Sequence, residues 1–270
     1  MENDMLLKNK NAVIYGAAGA IGSAIARTFA REGARLFLTG RTLAKVEALA
    51  KEIRAEGGEA DAAEVDALHP QAVTAHLDGV TASARIDVSF NAMGFPHGEL
   101  GIPLVDLSPD AFAVPISGYS RTQFITATAA ARHMTRQGSG VILTLSSTAS
   151  MSPAARSGGF GTACAAVEAL SRQLAAEVGA AGIRVNCLRP AGILESVHHG
   201  SHARAIWARR AERMGSTLDQ MLSGPAPAEV LLRRAPTLAE VADVAAFLAS
   251  DRAGAMTATI ANISCGSVID

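Results

Sequence analysis

Short apolar runs alternate with longer segments whose apolar residues recur at helical spacing, and the alternation extends along most of the chain. Residues 12–15 are an unbroken apolar run that stops at Gly16, which predicts a buried strand. The following segment sets Ile21, Ile25, Thr28 and Phe29 on one helical face. Residues 36–38 predict a second strand, closed by Gly40 and Arg41. A helix through Leu43, Val46, Leu49 and Ile53 then stops at Gly57 and Gly58. A third strand is expected to reach Val65 and Asp66, and a fourth to span 86–91. One long helix is expected over 112–134, then a strand over 141–145 that ends at Ser146 and Ser147. A helix after Gly161 precedes a sixth strand over 183–188. Such alternation predicts a single doubly wound α/β domain over 1–270, with a mainly parallel sheet and right-handed crossovers.

The stretch 193–235 breaks this rhythm, being polar and His-rich at first, then helical over 203–214, then Pro-rich. It follows the carboxyl end of a strand, where doubly wound folds bind ligands. It reads as a lid over a substrate pocket, and the alternative is a plain surface insertion.

Composition narrows the class. Hydrophobic residues make up 49% of the 270 but aromatics only 4%, so the core is mostly small and branched aliphatic. The formal net charge of -1 gives no footprint for nucleic acid or an anionic membrane. Cys164, Cys187 and Cys265 are odd in number and widely spaced, which suits reduced cytosolic thiols better than disulfides or zinc. Residues 1–10 mix charges, and no run reaches membrane-spanning length. The expectation is a soluble cytoplasmic protein acting on a small molecule, without nucleic-acid or membrane partners.

Gly16-Ala17-Ala18-Gly19-Ala20-Ile21-Gly22 joins the first predicted strand to the first helix. Glycines there let the backbone approach a pyrophosphate, and the helix start offers unpaired N–H groups to its charge. An NAD site normally ends its second strand with a carboxylate for the ribose 2′-hydroxyl. Here Gly40 removes the carboxylate, and Arg41, followed by Thr42, supplies a cation that can pair with a 2′-phosphate. NADP(H) is therefore expected over NAD(H). A solvated helix start is the plainer account of Arg41.

With these motifs in place, the chain resembles the short-chain dehydrogenase/reductase family over nearly its whole length. The glycine turn is similar to the family's, with Tyr15 in place of Thr. Val65-Asp66-Ala67, Asn91-Ala92-Met93-Gly94, the segment 182–186 with Pro190, and 247–251 with Gly266 resemble further family motifs. The resemblance implies a cofactor contact set of Gly16, Ala18, Gly19, Ala20, Ile21, Gly22, Arg41, Thr42, Asp66, Ala67, Asn91, Ala92, Met93, Pro190 and Ile193.

It also implies an Asn-Ser-Tyr-Lys tetrad, of which only Ser147 is retained. Thirteen residues on, Phe160 stands at the Tyr position; four further, Cys164 stands at the Lys position; and Tyr119 stands at the Asn position. Phe160 cannot transfer a proton, a role worth about 10² to 10⁴ in rate. Three readings stay open. One is an NADP(H)-dependent oxidoreductase with a non-standard site, acting on an activated C=C or C=N bond. Another is an inactive cofactor-binding regulator or scaffold. The third is a non-redox isomerase or lyase. Tyr119 is expected to fill the space over Cys164, either as packing alone or with its hydroxyl reaching Ser147, the ribose or substrate. Cys164 reads as a small apolar filler or as a nucleophile. His198, His199 and His202 read as solvated, or as acids or ligands, though nothing nearby completes a metal set. The predicted helices over 160–178 and 124–131 are apolar or small on more than one face, and in the resembled family they form a dimer interface. A homodimer or homotetramer is expected.

Overall fold

The computed structural model describes residues 5–152, 156–199, 203–213, 215–224 and 228–269. Seven parallel strands form one sheet: β1 (Asn11–Tyr15), β2 (Arg35–Gly40), β3 (Glu59–Glu64), β4 (Val88–Asn91), β5 (Gly140–Leu145), β6 (Ile183–Pro190) and β7 (Ile260–Ile263). Their order is β3-β2-β1-β4-β5-β6-β7. Strands β1 to β3 are added toward one edge and β4 to β7 toward the other, and the crevice between β1 and β4 opens at the carboxyl ends of both strands.

Strand residues alternate between two apolar layers, as period-two geometry requires. Ala12 and Ile14 face a layer built on α1 (Ala20–Arg31), α2 (Leu43–Ala55) and α9 (Leu238–Ala249). Val13 and Tyr15 face the other, built on α3 (Pro70–Thr81), α5 (Arg121–Gln137) and α6 (Phe160–Val178). Both faces of the sheet are thus covered, which accounts for unbroken apolar runs in the strands.

Several boundaries differ from expectation. The helix α3 was not anticipated, although Val73, Leu77 and Val80 share one face and Pro70 opens its first turn. β3 ends at Glu64; Asp66 turns the chain by accepting a hydrogen bond from Leu68 N at 2.9 Å. β4 starts at Val88 because the Gln137 side chain, not a neighbouring strand, pairs with both N and O of Ile86, at 3.0 and 2.9 Å. β6 runs two residues further than expected, to Pro190. The single long helix is in fact α4 (Pro109–Pro115), a π-helical turn over Ile116–Ser120, and then α5. Pro115 has no N–H to give the carbonyl four residues back, and the chain widens by one turn there. In the stretch over 193–235 the described residues include α7 (Ala203–Arg213) and α8 (Leu218–Ser223).

Candidate active site

The glycine turn depends on missing side chains. Gly16 has φ +69°, and a Cβ on it would lie 3.0 Å from Met93 N in the loop after β4. A Cβ on Gly22 would run into the Gly16 carbonyl, and one on Gly19 would come within 3.3 Å of it. Gly19 is the N-cap of α1 and offers no capping side chain, so the first N–H groups of that helix face the crevice. This cradle fits a pyrophosphate.

A cleft of about 500 Å³ runs from the turn across the sheet. At one end it is lined by Gly16, Ala18, Gly19, Ala20, Ile21, Gly40, Arg41 and Thr42. Lys45, one turn into α2, adds a second exposed cation beside Arg41. A side chain at position 40 would meet Val46 Cγ2 at 2.8 Å, so the usual ribose carboxylate has no room without movement of Val46. The cleft continues past Ala92, Met93, Pro190 and Ile193 to Ser147, Phe160 and Tyr119.

Five residues expected at the site do not line it. Gly22 works from inside α1, by letting the turn close. Asn91 is buried and faces inward: its Nδ2 donates to Thr126 Oγ1 at 2.9 Å and its Oδ1 accepts from Met93 N at 2.9 Å. It shapes the loop rather than touching the cleft. Asp66 is engaged in its own turn, Ala67 is fully buried, and Cys164 lies in the core.

Tyr119, Ala163, Cys164, Val167 and Cys187 form one buried cluster. The Tyr119 hydroxyl donates to the Leu145 carbonyl at 2.6 Å, not to Ser147. Burial, with the Cys164 and Cys187 thiols nearby, pushes its pKa well above the usual phenol value, so it stays protonated. Burial also pushes the Cys164 thiol up to about 12. A thiol so placed is a poor nucleophile.

Below Ser147 lies an ion pair. Arg189 donates through Nε to Glu168 Oε1 at 2.9 Å and through Nη2 to Oε2 at 3.2 Å, with side-chain exposures of 4% and 5%. Ser146 and Ser150 also donate to Glu168 Oε1, at 2.9 and 2.5 Å. Breaking such a network leaves a charge buried, so it fixes the turn that carries Ser147. The Ser147 Oγ accepts from Ala149 N at 3.3 Å and lines the cleft.

Besides Lys45, His97 was not expected at the site from the sequence. The His97 imidazole stacks on the Phe160 ring, with centroids 3.5 Å apart and planes 12° from parallel. His97, Ser147, Phe160 and Ile193 line both the nucleotide cleft and a second cavity of about 580 Å³. Nothing in the local sequence marked His97, because its partner lies more than sixty positions away. His198 and His199 are exposed, and His202 lies outside the described residues. Among the described residues no cluster of three His, Cys, Asp or Glu side chains could hold a metal ion, and no helix is long and apolar enough to cross a membrane.

A family model described as enoyl-(acyl carrier protein) reductase matches residues 16–267. The short-chain reductase protein NovJ of Streptomyces niveus is 32% identical over 257 residues, covering 94% of this chain and 92% of that protein. A structure of NAD+-bound xylitol dehydrogenase superposes with a TM-score of 0.83 at 26% identity, covering 96% of this chain and 99% of that one. A structure from Beutenbergia cavernae, described as an NAD(P)-dependent gluconate 5-dehydrogenase with bound NADP, gives 0.82 at 26% identity, covering 98% and 99%. Sheet order, glycine turn and these matches along the chain agree that this protein belongs to the short-chain dehydrogenase/reductase family of oxidoreductases.

Proposed function

We propose that this protein is an NADP(H)-dependent oxidoreductase in which His97 carries the proton that the family's tyrosine carries elsewhere. The observation behind this reading is the His97–Phe160 stack, at the place where the nucleotide cleft meets the second cavity. Rings this close give the imidazole edge access to the space that a hydroxyl on the Phe160 ring would serve. Imidazole both gives and takes protons near neutrality.

The glycine turn and the α1 N-terminus hold the pyrophosphate. Arg41 and Lys45 hold the 2′-phosphate. Bound there, the nicotinamide supplies or accepts a hydride. Ser147 orients the substrate oxygen or nitrogen, and His97 protonates the product in the reducing direction. Activated C=C and C=N substrates demand least of that donor. Since one structural relative is described with NAD+ and another with NADP, the cofactor choice rests on the Arg41–Lys45 charge. The segment over 193–235 serves as the lid, with Ile193, Ile206 and Trp207 against the second cavity. The exposed face of Ala165, Ala169 and Ala176 on α6, with Phe124 of α5 at 53% exposure, pairs two copies as a homodimer or homotetramer. Three free thiols suit the cytoplasm.

The test is fluorescence titration with NADPH and NADH, then a screen for NADPH oxidation by ketones, enones and imines. Tighter NADPH binding and oxidation by an enone or imine is the expected result; failure to bind NADPH overturns the reading. The runner-up is an inactive NADP(H)-binding regulator or scaffold. It is favoured by the Tyr119 hydroxyl being committed to Leu145 and by the burial of Cys164. NADPH binding with no oxidation across the screen selects it, and turnover without any nucleotide selects an isomerase or lyase.

A further inference from the structure

The second cavity carries charge of one sign. Arg156 and Arg213 line it, and no Asp or Glu does among the described residues. Neither guanidinium has an ion-pair partner among the described residues. The two cations are tied to one short loop. Gly101 N donates to the Arg156 carbonyl at 2.8 Å, and Gly101, with φ +90°, leaves the space that the Arg213 side chain crosses. Arg156 has φ +62°, a left-handed conformation that costs a non-glycine residue about 1–2 kcal/mol. Such strain persists only where the surrounding structure holds it, and here it holds an arginine at the cavity wall.

Leu100, Ile193, Ile206 and Trp207 give the rest of the wall an apolar side, and Ser147, Thr148, Ser152 and Ser157 add hydroxyls to it. The Trp207 indole lies over Gly192, where a Cβ would come within 2.7 Å of its ring. The stacked His97–Phe160 pair closes the end toward the nucleotide cleft.

We propose that this cavity binds a small carboxylate with a flat aryl body, its anion held by Arg156 and Arg213 and its ring laid along Trp207. This rests on the oxidoreductase reading only for what happens next, since it names the class of that site's substrate. Arginine pairs suit carboxylates through paired N–H donors. A cavity without counter-charge draws anions in, and does so less as salt rises.

Trp207 is the chain's one tryptophan, so its emission reports on this cavity directly. The probe is 4-oxo-4-phenylbutanoate, with its methyl ester as the uncharged control, titrated with and without NADP+. The carboxylate is expected to shift Trp207 emission saturably, to bind at least about tenfold more tightly than the ester, and to weaken with salt. Arg213→Gln and Arg156→Gln, both at exposed positions, are each expected to remove most of that preference. Equal affinity for acid and ester, no response to either, or unchanged preference in both variants overturns the proposal. NADPH fluorescence is read on the same samples. Carboxylate binding without NADPH binding defeats the oxidoreductase reading alone, and NADPH binding without a carboxylate response defeats this one alone.

Discussion

At the glycine turn, function comes from what is left out: no Cβ on Gly16, no capping side chain on Gly19, no carboxylate at Gly40. At the far end of the same cleft the space is filled instead. Tyr119 and Cys164 share a buried cluster, and His97 lies flat on Phe160. The first region is defined by its backbone, while the second is defined by packed side chains beside the buried Glu168–Arg189 pair. On the reading proposed above, binding and proton transfer fall to different regions, and substitutions should separate them.

The largest effect is expected from His97→Phe, which keeps a ring over Phe160 but removes the proton. Turnover should fall by about 10² to 10⁴ with NADPH affinity unchanged. An unchanged rate on any substrate found in the screen removes His97 from the chemistry. Gly22→Ala acts at the opposite end. Its Cβ meets the Gly16 carbonyl, so NADPH affinity should drop about a hundredfold while circular dichroism stays native. Arg41→Ala is narrower still. It should weaken NADPH by about 1.5–3 kcal/mol and leave NADH nearly unchanged, as measured by titration; equal losses would mean that Arg41 does not read the 2′-phosphate.

Two smaller effects bear on the filled region. Tyr119→Phe removes the bond to the Leu145 carbonyl and should cost about 1 kcal/mol, or about 2–4 °C in Tm, with little change in NADPH affinity. A tenfold loss of rate at normal stability would instead give the phenol a direct role. Alkylation should barely register. Burial pushes Cys164 and Cys187 up to about 12, and a raised pKa leaves both as thiols until pH approaches that value. In native protein at mildly alkaline pH, mass spectrometry should show one adduct, on the half-buried Cys265, and three after denaturation.

The contrast between the two regions also governs what could be read from the chain. The turn and Arg41 were legible because glycine spacing and a missing carboxylate are local facts, meaningful wherever a strand meets a helix. Phe160 and Cys164 could be set, through the family resemblance, at the positions expected for tyrosine and lysine. The neighbour that Phe160 meets could not be found that way. The His97 stack joins a loop after β4 to the first residue of α6, and only the folded sheet brings them together. Lys45 belongs to a helix and to no motif, so nothing local marks it. Asp66 and Asn91 have the expected motif residues, but their side chains serve the loops they sit in. Pro115, inside a helical pattern, is itself a sequence signal for the break there.

The close approach of Gly16 to Met93 has one more consequence. The turn that receives the pyrophosphate and the loop that leads to His97 touch backbone to backbone, with no side chain between them to absorb a displacement. A shift of one would press directly on the other. Any coupling that this contact carries between nucleotide and substrate would be reciprocal, since linkage has no preferred direction. With both bound as proposed, whatever factor NADP+ exerted on the affinity for an aryl carboxylate, the carboxylate would exert on the affinity for NADP+.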